Sequence, residues 1–318
     1  MTSLHGFVKT ILVAGTKKLP VRLRELLMRT LIRQSGEDAL LGRMAMEAGI
    51  TGFIASGSSG SIQSTSADRK ILLEYARTGS WAERTNRTFV EFFARRSGTY
   101  LDIGANIGLT TLPVAENPHV RCLAFEPEPA NFANLADNVR RNARHGNVEL
   151  YQVALYDREG TVALGLAMDG NLGDHRVMAE GQNRGRTIDV RSARLDDVVT
   201  EFAGPLAAKI DAQGAEPYII TGGSKILARA ELVVLEFSPM LIDQLGGEVA
   251  KIVEFLATFD RLEMVRGDSL EALTPISPSD IGPRLMQIFE RGRTDDRYYF
   301  DVYAQREPLA RLPEATPY

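Results

Sequence analysis

Two short stretches of this sequence combine residue types that can hold and rework a small ligand: Leu101-Asp102-Ile103-Gly104-Ala105-Asn106-Ile107-Gly108 and Lys209-Ile210-Asp211-Ala212-Gln213-Gly214-Ala215-Glu216. In the first, an apolar strand runs into a glycine turn and then a helix expected over 107–115. Gly104 lets the backbone turn tightly and approach a ligand with no Cβ in the way. The amides that open the following helix favour electron-rich groups. This is not a dinucleotide fingerprint, because glycines 104 and 108 stand four apart with no G-x-G pair before them, and a pyrophosphate needs that second close glycine. Asp102 adds negative charge, which favours a cationic ligand over a phosphate. About 20 residues further on, the next apolar strand ends in Glu126-Pro127. A carboxylate there can accept both hydroxyl protons of a ribose, and Pro127 stiffens the turn. Glu126 can also cap the helix that begins near Pro129. Turn and acid together read as a nucleoside site.

In the second stretch Asp211 stands at the end of a strand, where a carboxylate can orient an acceptor or take a proton from its hydroxyl. It can equally bond loop amides. Lys209 is expected on the opposite face of the strand, paired with a buried carboxylate rather than reactive. His175, in Gly173-Asp174-His175, is a loop histidine able to titrate near neutral pH and swing in as a base, or to remain in solvent. Asp211, Glu216 and Glu236 could bring three oxygens to magnesium, but nothing in the spacing demands it and no metal site is expected. Trp81 and Tyr75 either line an acceptor pocket or pack the helix before the first strand. Cys122 reads as a small core residue.

The elements that must position these groups follow from apolar periodicity. From Thr99 onward, short apolar runs (100–103, 120–125, 148–153, 206–210 and 232–237) alternate with helical stretches (107–115, 129–144, 216–227 and 241–258). Unbroken apolar runs suit strands buried on both faces. Their alternation with helices predicts a doubly wound parallel α/β sheet whose strand ends share one ligand-binding edge. Residues 157–194 break the rhythm and read as an inserted β-hairpin, 161–166 with 187–191, joined by a mobile polar connection. Upstream, 21–48 reads as an amphipathic helix or helix pair, Gly57–Ser61 as a flexible Ser/Gly linker, and 67–77 and 86–95 as helices. A last alternating strand is expected over 298–303, followed by a frayed tail.

With 318 residues, 44% hydrophobic and 25% charged, the chain has the composition of a globular protein. One cysteine rules out an intramolecular disulfide framework and a Cys-based metal cluster. The net charge of −4 offers no field for nucleic acid. It is unevenly spread: residues 1–98 hold 15 Lys and Arg against 8 Asp and Glu, and the remainder 22 against 33. The basic arm is a solvated face or a docking face for an acidic partner or membrane surface. No apolar run reaches the roughly 18 residues of a membrane span, and the run at 11–14 is too short for a secretory signal. A cytoplasmic location is expected.

LDIGANIG followed by AFEP resembles the first two motifs of class I S-adenosylmethionine-dependent methyltransferases. Lys209–Glu216 resembles the K-I-D-x-E-G-x-E signature of their FkbM family, supported by Arg194-Leu195-Asp196-Asp197 and Val233-Val234-Leu235-Glu236. The resemblance covers about 89–237. It implies the class I methyltransferase fold, a mostly parallel seven-stranded sheet, with S-adenosyl-L-methionine as cofactor. By position, Asp102, Gly104, Ala105, Asn106 and Gly108 would shape its methionine end, Glu126 with Pro127 its ribose, and Val153 and Ala154 its adenine. Asp211, with His175 as a second candidate, would serve the acceptor, a hydroxyl on a sugar or secondary metabolite. Gln213 departs from the pattern, which usually has glutamate. An N-methyltransferase, a non-catalytic cofactor-binding module and, least favoured, an NAD-type oxidoreductase are the alternatives. The expected organisation is a helical extension over 1–80, which covers the acceptor side or makes a homodimer contact, a methyltransferase domain over 81–306, and a tail over 307–318.

Overall fold

The computed structural model describes residues 52–65, 68, 70–167, 171–182, 185–267, 271–295 and 297–306. The basic helical arm expected over 21–48, with any dimer or membrane contact it makes, and the tail over 307–318 lie outside the described residues.

The stretch read as a flexible linker is a β-hairpin, β1 (Gly52–Gly57) with β2 (Gly60–Thr65), closed by a tight turn at Ser58-Ser59. Its strands hold few apolar residues, and tertiary contacts satisfy its backbone instead. The Asn138 and Asn142 side chains accept from Gln63 N and Ser61 N at 2.7 and 2.8 Å and donate back to the carbonyls of the same two residues. Tyr75 accepts from Ser59 N and donates to Gly60 O, so it pins the turn and lines no acceptor pocket. Helix α1 (Ile71–Thr78) begins where Asp68 accepts from Ile71 N and Leu72 N and ends at left-handed Gly79. α2 (Glu83–Phe93) then leads to the main sheet.

Along the chain follow β3 (Gly98–Ile103), α3 (Thr111–Ala115), β4 (Val120–Phe125), α4 (Pro129–Asn142), β5 (Val148–Tyr151), β6 (Ala154–Leu155), β7 (Gly160–Gly165), β8 (Arg176–Val177) and β9 (Thr187–Ala193). Then come α5 (Leu195–Val198), β10 (Leu206–Ile210), α6 (Glu216–Gly222), α7 (Ser224–Leu227), β11 (Ala230–Phe237), α8 (Pro239–Leu245) and α9 (Val249–Leu256). β12 (Arg261–Arg266), β13 (Thr274–Ile276), α10 (Ile281–Gly292) and β14 (Phe300–Gln305) complete the described order.

The α/β core is an eight-stranded sheet in the order β13-β12-β14-β11-β10-β3-β4-β5. The five strands from β5 to β11 are parallel, and β14 enters antiparallel between β11 and β12. The expected seven strands are therefore joined by β13, a three-residue edge strand. β3 and β10 are buried along their whole length, which is why they read as unbroken apolar runs. Chain order reverses direction across β3, since β4 and β5 lie on one side and β10 and β11 on the other. Ligands of doubly wound sheets bind beyond the strand ends at such a switch point.

Other expectations change as well. The insert is more than a hairpin: β7 and β9 pair antiparallel within a four-stranded sheet ordered β6-β9-β7-β8. The helix expected over 216–227 divides at Gly223, where a Cβ would lie 2.7 Å from Leu195 Cδ2, and that over 241–258 divides at left-handed Gly246. β12, β13 and α10 had no counterpart in the sequence reading. Pro283 lies in the first turn of α10, where a missing N–H leaves no helical bond unmade.

Candidate active site

The glycine turn after β3 spends its amides internally. Gly104 N and Ala105 N both donate to Phe125 O, Gly108 N donates to Ala105 O, and α3 starts only at Thr111. Those three amides are therefore not open to a ligand. Gly104 (φ +80) brings the turn against the next strand end, for a Cβ on it would lie 1.9 Å from the Asp211 carbonyl oxygen. Gly104→Ala combines that clash with a left-handed backbone, and is expected to cost roughly 3 kcal/mol or more of stability, read by denaturant unfolding. Gly108 (φ +93) faces Leu135, and Ala105 packs with Ala124 and Leu135 beneath α4, so Ala105 belongs to the core.

Glu126 lies 5% exposed at the end of β4. Its Oε2 accepts from Asn106 N at 2.9 Å and its Oε1 from Glu128 N at 2.8 Å. The cap of α4 falls to Glu128, which accepts from Asn131 N. Each Glu126 oxygen keeps one lone pair for a further donor. Burial pushes its carboxyl up to about 7. Beside it, Asn106 Oδ1 and Asn131 Oδ1 are buried with no hydrogen-bond partner among the described residues. Their nitrogens both donate to Leu172 O, at 3.0 and 2.9 Å. Buried acceptors beside a carboxylate with spare lone pairs fit a ligand rich in hydroxyl and ammonium donors, such as the amino-acid nucleoside implied by the motifs. Asn131 was not among the residues singled out from the sequence, where it reads as one more helix polar.

Asp102 faces inward, fully buried. Its Oδ2 accepts from Thr110 and Thr111 hydroxyls at 2.7 and 2.6 Å, and its Oδ1 lies 3.7 Å from Lys209 Nζ. The side chain is thus held inside the protein by two hydroxyls and an ion pair rather than turned to the crevice. Lys209 and Asp211, two apart on a strand, share a face rather than opposing ones. Lys209 Nζ is 3.2 Å from Asp211 Oδ2 and donates to Gly104 O at 3.0 Å. Burial pulls its ammonium down, but Asp211 and Asp102 outweigh that and raise it. One buried cation therefore ties β3, the glycine turn and β10 together.

The Asp211 side chain is 34% exposed, and the loop after it is held from below. Glu216, fully buried, accepts from Ala212 N at 2.8 Å and Gly214 N at 3.0 Å. Gln213 Nε2 donates to both Asp211 Oδ1 and Glu236 Oε1, each at 3.0 Å. Burial, then the charges of Asp211, Asp301 and Glu216, push Glu236 well above the ordinary carboxylate value. Glu216 is turned onto loop amides, and among the described residues no three such side chains converge in a metal-holding arrangement.

Burial also carries Glu216 up to about 7. Between the ordinary value of 4.5 and about 7, the folded protein keeps protons on Glu126 and Glu216 that the unfolded chain releases. The stability is full below that window and falls as pH rises through it, by roughly 3 kcal/mol at most per group. Tm is therefore expected to decline from about pH 4.5 to about pH 7. A flat or rising profile from thermal unfolding across that range would contradict the burial of these carboxyls.

The insert roofs this edge. Leu172 is clamped over the Glu126 end, while Arg176 reaches Gln244 Oε1 and Gln182 reaches Gln244 O on α8. His175 folds back onto its own loop, its Nδ1 accepting from Ala167 N at 2.9 Å. A neutral imidazole bonded this way carries its proton on Nε2 and presents a donor rather than a base. Val153 and Ala154 are 4% exposed in the core, two and three residues past the β5 end that pairs beside Glu126. Trp81 packs partly against the Ile107–Leu112 cluster, and Cys122 is fully buried. Asp196 of the RLDD run accepts from Lys225 N and Ile226 N, so it anchors α7. A cavity of about 380 Å³ lies at the other edge of the sheet, among Gly98, His119, Arg121 and Phe202, away from all these groups. No helix among the described residues is long and apolar enough to cross a membrane.

Comparison with known proteins agrees with the motifs that built this edge. The family described as the methyltransferase FkbM domain matches residues 102–263. The 2-O-methyltransferase NoeI of Sinorhizobium fredii is 26% identical over 208 residues, covering 59% of this chain and 84% of that protein. Among solved structures, the precorrin-6y C5,15-methyltransferase of Geobacter metallireducens is similar at 13% identity and a TM-score of 0.36, over 71% of this chain and 88% of that one. M. jannaschii TYW2 in complex with AdoMet is similar at 12% identity and a TM-score of 0.36, over 81% and 87%. With the family match running from Asp102 at the glycine turn to Glu263 in β12, over half of the sequence, the chain belongs to the FkbM family of methyltransferases.

Proposed function

We propose that this methyltransferase uses S-adenosyl-L-methionine and delivers the methyl group to a hydroxyl of a small-molecule or glycan acceptor. The observation that carries the reading is the Glu126 carboxylate, held by two main-chain amides with a lone pair left on each oxygen, across the Gly104 turn from a partly exposed Asp211. In this reading Glu126 accepts from the ribose hydroxyls. Asn106 and Asn131 offer their buried side-chain oxygens to the remaining donors of the cofactor. When bound, the cofactor supplies a methyl group on positively charged sulfur for in-line displacement. The chain's part is to orient the acceptor and to take its proton at Asp211 as the new O–C bond forms. Lys209, 3.2 Å from Asp211, keeps that carboxylate aimed. The 2-O-methyltransferase among the relatives favours oxygen over nitrogen as the acceptor atom.

The test has two stages. S-adenosylhomocysteine at about 100 times its Kd is expected to stabilise the protein by about 2.7 kcal/mol, seen as a raised Tm, while NADH leaves Tm unchanged. Transfer of labelled methyl from the cofactor to a panel of glycosides and cell extracts then identifies the acceptor. Saturable cofactor binding with no transfer to any hydroxyl, or transfer only to amines, would defeat the reading. In this reading His175, whose Nδ1 accepts from Ala167 N, does not act as the base. His175→Gln is expected to leave the neutral limb of the pH–rate profile in place, and a flattened limb would restore histidine to the mechanism.

A further inference from the structure

The loop leaving β10 carries a residue that the methyl-transfer scheme has not used. Gln213 adopts φ +52, a left-handed conformation that costs a residue with a Cβ. That conformation brings its side chain back over the strand ends. A primary amide nitrogen has two hydrogens set about 120° apart. Gln213 commits one to Asp211 Oδ1 and the other to Glu236 Oε1, both at 3.0 Å. The acceptors come from adjacent parallel strands: Asp211 follows Ile210 of β10, and Glu236 lies one residue before the end of β11. Two carboxyl groups that meet at one point repel when both are ionised. Burial and this repulsion together raise Glu236, and the usual remedies are a shared proton or a bound cation. Lys209 contacts the other oxygen of Asp211 and reaches Glu236 only through its charge. Asp301, opposite Glu236 in the β11–β14 register, and Glu216 beneath the loop both add to the repulsion at Glu236. The amide is the element that joins the pair.

We propose that Gln213 is a positioning residue, an amide bridge that holds Asp211 and Glu236 side by side at the acceptor edge in the place where a divalent cation would otherwise do so. It rests on the reading of Asp211 as the acceptor-facing base. The bridge fixes Asp211 Oδ1 so that the carboxylate keeps one orientation, and it lets the proton-taking step proceed with no added metal. Exchanging the bridging nitrogen for oxygen, in the isosteric Gln213→Glu, sets a third carboxylate against the other two. That is a set of oxygen ligands suited to a divalent cation.

Manganese chloride is titrated into the S-adenosylhomocysteine complexes of the wild type, Q213E and Q213A, followed by calorimetry and electron paramagnetic resonance. Q213E is expected to bind one manganese ion about tenfold or more tighter than either of the other two. In the methyl-transfer assay with EDTA present, Q213E and Q213A are expected to lose about tenfold or more in kcat at unchanged cofactor KM. Manganese should restore only Q213E, and the wild type should be indifferent to EDTA. Equal manganese affinity in wild type and Q213E, or wild-type kcat in Q213A, overturns the proposal. Should Q213E fail to bind S-adenosylhomocysteine, Q213N decides, because its shorter side chain cannot span both carboxylates. Q213N then loses kcat at unchanged cofactor KM if the bridge matters, and matches the wild type if it does not. A wild type that binds cofactor but transfers no methyl defeats the reading of Asp211, while the manganese titration still reports on the bridge.

Discussion

Asp211→Asn is expected to lower kcat by about 10²- to 10⁴-fold, the range lost when a positioned general base is removed, while the affinity for S-adenosylhomocysteine stays within a few-fold of wild type. The split follows from where the groups lie. Asp211 is partly exposed beyond β10 and touches Lys209 and Gln213, whereas the Glu126 end of the crevice is built by β4 and the glycine turn. An asparagine at 211 keeps one acceptor oxygen but turns an NH₂ toward either the Lys209 ammonium or the Gln213 amide, both donors. It therefore cannot take a proton and also unsettles the edge. Turnover and calorimetric affinity measured on the same preparation separate the two effects. If kcat survives at unchanged affinity, Asp211 is neither base nor acceptor guide.

The second large effect is expected at the opposite end. Glu126→Gln should weaken S-adenosylhomocysteine binding by about 10- to 100-fold, since a hydrogen bond to a buried charged group is worth roughly 1.5–3 kcal/mol. In the wild type both oxygens accept main-chain N–H groups, from Asn106 and from Glu128. A glutamine can accept from only one of them and must point a donor at the other. The glycine turn and the start of α4 would lose their common tie, and the cofactor would lose an acceptor for its ribose hydroxyls. Calorimetry gives the affinity, and thermal unfolding without ligand gives the share owed to the turn. Binding unchanged by Glu126→Gln would remove the ribose contact from the proposed function and with it the assignment of the crevice.

The two ends of the site were not equally readable. Gly104, Glu126 and Asp211 stand out because each follows an apolar run, and strand ends in a doubly wound sheet share one edge. Asn131 had no such marker. It matters only because Leu172, 41 positions further along, presents its carbonyl to the Asn131 amide. Gln213 looked like a lost charge and is a donor placed between two carboxylates from different strands. Asp102 was read as facing the ligand because it occupies the acidic place in the motif, yet the Thr110 and Thr111 hydroxyls and Lys209 turn it into the core. The hairpin at 52–65 escaped for a related reason. Glycine and serine text predicts a linker when nothing else is known, but here Asn138 and Asn142 supply hydrogen bonds from α4 that no local pattern announces.

Local sequence was enough to determine the alternation of strand and helix from 99 to 258, the parallel character of the core and the glycine turn after β3. Hydrophobic period and backbone permissiveness act over a few residues and are written in residue types. Tertiary structure alone decided which polar side chains meet: Lys209 with Asp102 and Asp211, Gln213 between Asp211 and Glu236, Leu172 on Asn106 and Asn131. Hydrogen bonds and ion pairs act over about 3 Å between groups that the chain brings together only by folding. The partner of a buried polar residue is therefore a property of the fold and not of its neighbours in sequence.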